Sequence, residues 1–147
     1  MIAPAKTLLA LACLFTLTTS CKNKALSKVK DPKVADIRVP EGFTVSIFAD
    51  NVDNARSLAL GDKGTIFVGN RKGNKVYALT DTDNDGRADK QYTIASGLNM
   101  PNGVAFHNGA LYVAEVNKIW RFDNIEAALS TPPKPVLVTD SLPSDEH

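Results

Sequence analysis

From about residue 39 onward, apolar and polar side chains alternate with a period of two rather than 3.6. The stretches "FTVSIFA" (43–49), "SLAL" (57–60), "TIFVG" (65–69), "KVYAL" (75–79) and "KQYTIA" (90–95) all follow this rhythm, which predicts strands. Turn-forming clusters divide them: "EG" at 41–42, "GDKG" at 61–64, "RKGNK" at 71–75, "DTDNDGRAD" at 81–89 and "SGLNMPNG" at 96–103. No run before Asn124 carries a helical period; "NIEAALS" (124–130) is helix-like and "TPPKP" follows it. Short strands separated by tight turns predict an antiparallel, all-β chain.

The pattern also repeats. Ala59-Leu60 matches Ala105-Phe106 at an offset of 46, and Ile66-Phe67-Val68 matches Leu111-Tyr112-Val113 at 45. Val76-Tyr77 matches Ile119-Trp120 at 43, and "TIASGL" (93–98) matches "LVTDSL" (137–142) at 44. The offset shrinks where a turn is shorter, "DKG" against "NG" and "RKGNK" against "VNK". Four strands per unit at a spacing of about 45 residues is the mark of a β-propeller blade. The two blades occupy about 55–98 and 101–142, with "GFTVSIFAD" (42–50) expected as an outer strand donated at ring closure. Two blades cannot close a ring, so the chain reads as the N-terminal part of a longer protein, and any axial pocket built by all blades together would be incomplete in it.

Blade topology sorts the loops onto two faces. The turn after a blade's second strand and the link to the next blade share one face, which carries 70–74, 96–102, 115–117 and 140–147. This is the face where propellers place an axial ligand. The opposite face carries 61–64, the turn around His107 and the aspartate loop, so His107 is assigned a structural role.

Composition narrows the partners. The chain has 147 residues, 44% hydrophobic and 22% charged, and a formal net charge of +1. Lys and Arg are scattered, with no basic stripe to engage nucleic acid. Residues 1–21 form a basic, then apolar, then small-polar series ending in "LTTSC", the order of a secretory signal whose apolar run is too short to span a bilayer. The ending resembles a bacterial lipobox with Cys21 as the lipidated residue, although Thr18 stands where leucine is usual; an ordinary cleaved signal is the alternative. Either way the chain is expected to be exported. Lipidation would anchor it in the bacterial cell envelope (periplasm or outer membrane), with no other membrane contact. Both cysteines, Cys13 and Cys21, lie in this segment, so the mature domain has none for a disulfide. Residues 22–38 read as a flexible, lysine-rich tether.

In the aspartate loop, Asp81, Asp83 and Asp85 alternate, Gly86 permits a sharp turn, and Asp89 follows; the Arg87 carbonyl adds a further oxygen. Hard oxygens at this density suit Ca²⁺. The twelfth position of an EF-hand would be Tyr92 here, so the loop is not one; it resembles the calcium hairpins of extracellular propellers. A solvated acidic turn is the alternative, since Asp, Asn and Gly favour turns in any case. By its face, the ion would be structural.

"VPEGFTVSIFADNVDNARSLAL", "GTIFVGNRKGNKVYAL", "SGLNMPNGVAF" and "LYVAEVNKIWRF" together resemble the opening blades of the sorbosone dehydrogenase-like quinoproteins, relatives of the soluble aldose sugar dehydrogenases. The resemblance spans about 39–147. It implies a six-bladed propeller binding pyrroloquinoline quinone at its axis, usually with calcium, and oxidising an aldose or related sugar by hydride transfer, with electrons passed to an external acceptor. It further implies that His147, after the short acidic turn "PSDE", is the general base; neutral imidazole suits that work. Arg71 could pair with a quinone carboxylate, or be an exposed turn arginine. Asn99 and Asn102 could bond cofactor or substrate, or simply favour turns. Leu98 stands where related enzymes carry a pocket glutamine, so the sugar pocket departs from theirs.

Two rival functions remain open. One is a calcium-dependent sugar lactonase on a six-bladed propeller, for which Glu115 sits at a plausible height. The other is a non-catalytic propeller that binds glycan or protein.

Overall fold

A computed structural model of the chain describes residues 34 and 36–144. The signal segment with Cys21, most of the tether, and His147 lie outside the described residues.

Among the described residues, eight strands form two four-stranded antiparallel sheets in simple sequential order. The first holds β1 (Ala55–Leu60), β2 (Ile66–Asn70), β3 (Val76–Thr80) and β4 (Lys90–Ala95). The second holds β5 (Gly103–His107), β6 (Ala110–Ala114), β7 (Ile119–Phe122) and β8 (Val136–Thr139). These are the two β-propeller blades that the repeat predicts. The tightest hairpin, β5–β6, turns on Asn108 and Gly109, both at positive φ (49° and 76°), the two-residue turn whose twist matches the strands it joins. The repeat extends to irregularities. β3–β4 slips register between Val76 and Tyr77, and β7–β8 slips between their counterparts Ile119 and Trp120.

Alternation gives each sheet two faces, and the main core lies between one face of each. Phe67, Val76, Ala78 and Ile94 of the first sheet meet Leu111, Val113 and Phe122 of the second. Ala59, Phe67 and Ala78 share a face through the pairing register; Val104, Val113 and Trp120 share another. By the repeat, Val113 corresponds to Val68, which points to the opposite side of the first sheet from Phe67. Unlike faces therefore pack together, so each blade stacks on the next in one sense, as a propeller's blades must.

Gly69 on β2 lets the sheets approach. A Cβ there would stand 2.9 Å from the Pro101 carbonyl oxygen and collide with that of Asn102. The Asn70 N–H donates to that same Pro101 oxygen at 2.8 Å, and the Ser57 hydroxyl donates to the Asn102 carbonyl.

Residues 43–49 alternate but form no strand among the described residues; the outer strand expected there belongs to ring closure, which two blades do not supply. Instead, Phe48, Ala49 and Val52 cover Val68, Tyr77 and Leu79 on the outer side of the first sheet. The helix-like 124–130 holds only one turn of 3-10 helix, Ile125–Ala127. Asn124 is left-handed and lends no side-chain cap, and prolines at 132, 133 and 135 close off any extension. That turn has a role that the sequence does not reveal. Ile125 is fully buried in the inter-sheet core, and the Glu126 carboxylate accepts the Lys63 N–H at 3.1 and 3.2 Å. The second blade is thereby fastened to the first.

Candidate functional site

At one end of the sheets, the β2–β3 turn, the 96–102 link and the β6–β7 turn come together, as the face argument predicts. The Leu98 N–H donates to the Asn74 carbonyl at 3.1 Å, and the Val116 N–H donates to that of Asn99 at 3.3 Å. Met100 holds φ 49° and Pro101 is fully buried, so the link is pinned at its middle. Arg71, Asn99 and Asn102 all sit exposed at this end. The backbone of Asn99 is held by the Glu115 carboxylate and Val116. The Asn102 N–H donates to the Met100 carbonyl at 2.6 Å.

Two polar residues behind these candidates do the holding. Asn70 is buried; its amide N–H donates to the Asp53 carbonyl at 2.7 Å, and its side-chain oxygen accepts the Gly73 N–H. It lines an open polar cleft of about 180 Å³ with Asp53, Asn74, Lys75 and Tyr77. Glu115 accepts the Asn99 N–H on one oxygen and the Trp120 indole N–H on the other. The Lys118 ammonium lies 6.0 Å from the centre of the Trp120 ring. Asn70 and Glu115 occupy the same position of successive repeats, 45 residues apart, and each ties its own blade to the preceding link. A polar residue recurring at the end of the second strand was the available sequence signal. Glu115 is thus committed on both oxygens to structural donors.

The aspartate loop lies between β3 and β4. Carboxylate oxygens of Asp81, Asp83 and Asp89 lie within 4.8 Å of one another. Asp85 is not in that cluster; its carboxylate accepts the Arg87 N–H at 2.8 Å. Asp81 accepts the N–H groups of Gly86 (2.9 Å) and Asp85 (3.2 Å). The Arg87 guanidinium reaches Asp50 at 3.3 Å, and the Ala88 N–H donates to the Phe48 carbonyl at 2.7 Å, which fastens the lead-in segment to the loop. Partial desolvation and then the charges of Asp85 and Asp89 raise the Asp83 pKa above the ordinary carboxylate value. Asp89 shifts the other way: the Thr82 hydroxyl and N–H both donate to it at 2.6 Å and lower its pKa. A carboxylate made costly to ionise by its neighbours is one that a cation would relieve. His107 is exposed in the β5–β6 hairpin, at the end away from Arg71, and pairs with Ala110.

The fold resembles that of a solved structure, the holo form of the pyranose dehydrogenase PQQ domain from Coprinopsis cinerea. The TM-score is 0.65 at 18% sequence identity, over 75% of this chain and 27% of that one. An uncharacterized protein of Borreliella burgdorferi is 28% identical over 115 residues, which is 78% of this chain and 28% of that protein. The chain therefore spans less than a third of each of these two proteins. Residues 30–127 match the family described as "Domain of unknown function (DUF7133)", and the chain belongs to that family.

Proposed function

We propose that this chain is the opening part of an exported quinoprotein dehydrogenase that oxidises an aldose or sorbosone-like sugar. The observation that carries the reading is that the turn holding Arg71 and the link holding Asn99 and Asn102 lie at the same end of two successively stacked blades, in a fold like that of a PQQ domain. A guanidinium and two amides are the donors that a carboxylated quinone takes, so the residues present fit part of its shell. When bound, pyrroloquinoline quinone accepts a hydride from the sugar and passes the electrons to an external acceptor. Arg71 would hold a quinone carboxylate, Asn99 and Asn102 would orient quinone or sugar, and His147 would take the substrate hydroxyl proton.

Calcium belongs to this reading as a structural ion on Asp81, Asp83 and Asp89, away from the quinone. Lipidation at Cys21 would keep the enzyme in the cell envelope, beside its electron acceptor. The lactonase alternative needs Glu115 as an axial metal ligand, and the donors held by that carboxylate speak against it. A glycan- or protein-binding propeller would keep the fold but produce no quinone-dependent reduction.

The test is to express the whole reading frame, add pyrroloquinoline quinone and Ca²⁺, and follow dye reduction with a panel of aldoses. Quinone-dependent reduction supports the proposal; quinone uptake without turnover of any sugar defeats it.

A further inference from the structure

The two blades differ at one matched place. In the second blade, Glu115 accepts the Trp120 indole N–H on one oxygen and the Asn99 N–H on the other, and Lys118 lies over the Trp120 ring, so the polar groups there serve one another. By the repeat, Asn70 stands for Glu115, Lys75 for Lys118 and Tyr77 for Trp120. Asn70 instead donates to the Asp53 carbonyl and accepts the Gly73 N–H. The Tyr77 hydroxyl therefore meets no partner among the described residues, and neither does the Lys75 ammonium. The turn is also longer, "RKGNK" against "VNK", and the cleft of about 180 Å³ opens between it and Asp53 and Asn54.

The lining suits hydroxyl groups. Tyr77 is 9% exposed and its ring packs with Val68 and Leu79, which leaves its hydroxyl end for the cleft. A hydroxyl so placed takes its partner from whatever fills the cleft. Asn54 and Asn74 add amides that both donate and accept, Lys75 adds donors, and Asp53 adds an acceptor. One carboxylate and one ammonium leave the lining without net charge, so neither an anion nor a cation is favoured. The back wall is fixed, because a Cβ on Gly73 would strike the Asn70 amide. The volume equals that of about six waters, the room of one sugar ring.

We infer that this cleft binds one ring of a neutral saccharide, whose hydroxyl groups replace water on Tyr77, Lys75 and the two asparagine amides. A polyol is the ligand whose every hydroxyl both donates and accepts, as this mixed lining requires. A carboxylated sugar fits worse, because its charge would meet the Asp53 carboxylate. The cleft shares the β2–β3 turn with Arg71 but uses none of Arg71, Asn99 and Asn102, and the inference does not rest on the quinone.

The probes are the methyl glycosides of glucose, galactose and mannose, which have no free anomeric hydroxyl for an aldose dehydrogenase to oxidise. The protein expressed from its whole reading frame is titrated with each by calorimetry, without quinone, and hydrogen exchange locates the binding. The expected result is saturable binding of at least one glycoside, with slower exchange at the amides of 73–75. Tyr77→Phe should weaken it about tenfold, as loss of one hydrogen bond does. The same variant should keep its urea midpoint, because the hydroxyl removed has no partner among the described residues. Lys75→Met should weaken binding likewise. Saturable binding of none of the three, binding that Tyr77→Phe leaves unchanged, or tighter binding of glucuronate overturns the inference. Quinone uptake without any glycoside binding would overturn it too, and would leave the proposed function standing.

Discussion

Phe67 and Phe106, one on each sheet, stack with ring centroids 5.7 Å apart and planes 11° from parallel. The contact is the centre of the interface by which one blade sits on the next. Phe67→Ala should cost about 3–5 kcal/mol, the usual result of emptying a buried aromatic site. Leu58→Ala, at an exposed position on the same sheet, should stay within about 0.5 kcal/mol. Urea unfolding followed by the emission of Trp120, the sole tryptophan, measures both.

Gly69 tests the close approach of the link. Gly69→Ala should destabilise by about 1–3 kcal/mol through overpacking against the Pro101 and Asn102 carbonyls. Gly64→Ala is the control for conformational strain alone: Gly64 has φ 82° and open space where a Cβ would go. If Gly69→Ala proves neutral, the sheets are not held at this distance.

Glu115→Gln should loosen the link without emptying any space. One carboxylate oxygen becomes an NH₂ group facing either the Trp120 indole N–H or the Asn99 N–H, and the abandoned donor costs about 1–3 kcal/mol. A shifted Trp120 emission and faster exchange at the Asn99 amide are the expected readings. Unchanged exchange at Asn99 would contradict the hold of Glu115 on the link.

The aspartate loop should divide its carboxylates by sign. Asp89, with its pKa lowered, contributes stability above the ordinary carboxylate pKa of about 3.9 and loses it as pH falls through its own value. Asp83, with its pKa raised, is favourable at low pH and loses that contribution as pH rises through its value. In chelator at neutral pH, Asp83→Asn should therefore raise Tm slightly and Asp89→Asn should lower it. With millimolar Ca²⁺ the native chain should gain Tm and both variants should lose that gain. Equal destabilisation by both variants in chelator would contradict the repulsion at Asp83.

The sequence made the strands legible because alternation and turn chemistry agreed at every hairpin, and the 43–46 residue offsets exposed the two blades. It also placed Arg71, Asn99 and Asn102 at one end and the aspartate loop at the other. Residues 43–49 alternate without forming a strand among the described residues, because alternation reports which sides could be buried and not which edge a strand pairs with. In the aspartate loop the Asp85 carboxylate accepts the Arg87 N–H on one oxygen, a turn contact that spacing alone does not show.

Quinone titration of the protein expressed from its whole reading frame tests the central claim most directly. The account predicts saturable binding of pyrroloquinoline quinone, weakened about tenfold or more in Arg71→Ala, for loss of a charge-assisted bond worth about 1.5–3 kcal/mol, together with sugar-dependent dye reduction. A correctly folded protein that takes up no quinone, and instead hydrolyses a sugar lactone in the presence of Ca²⁺, would contradict it.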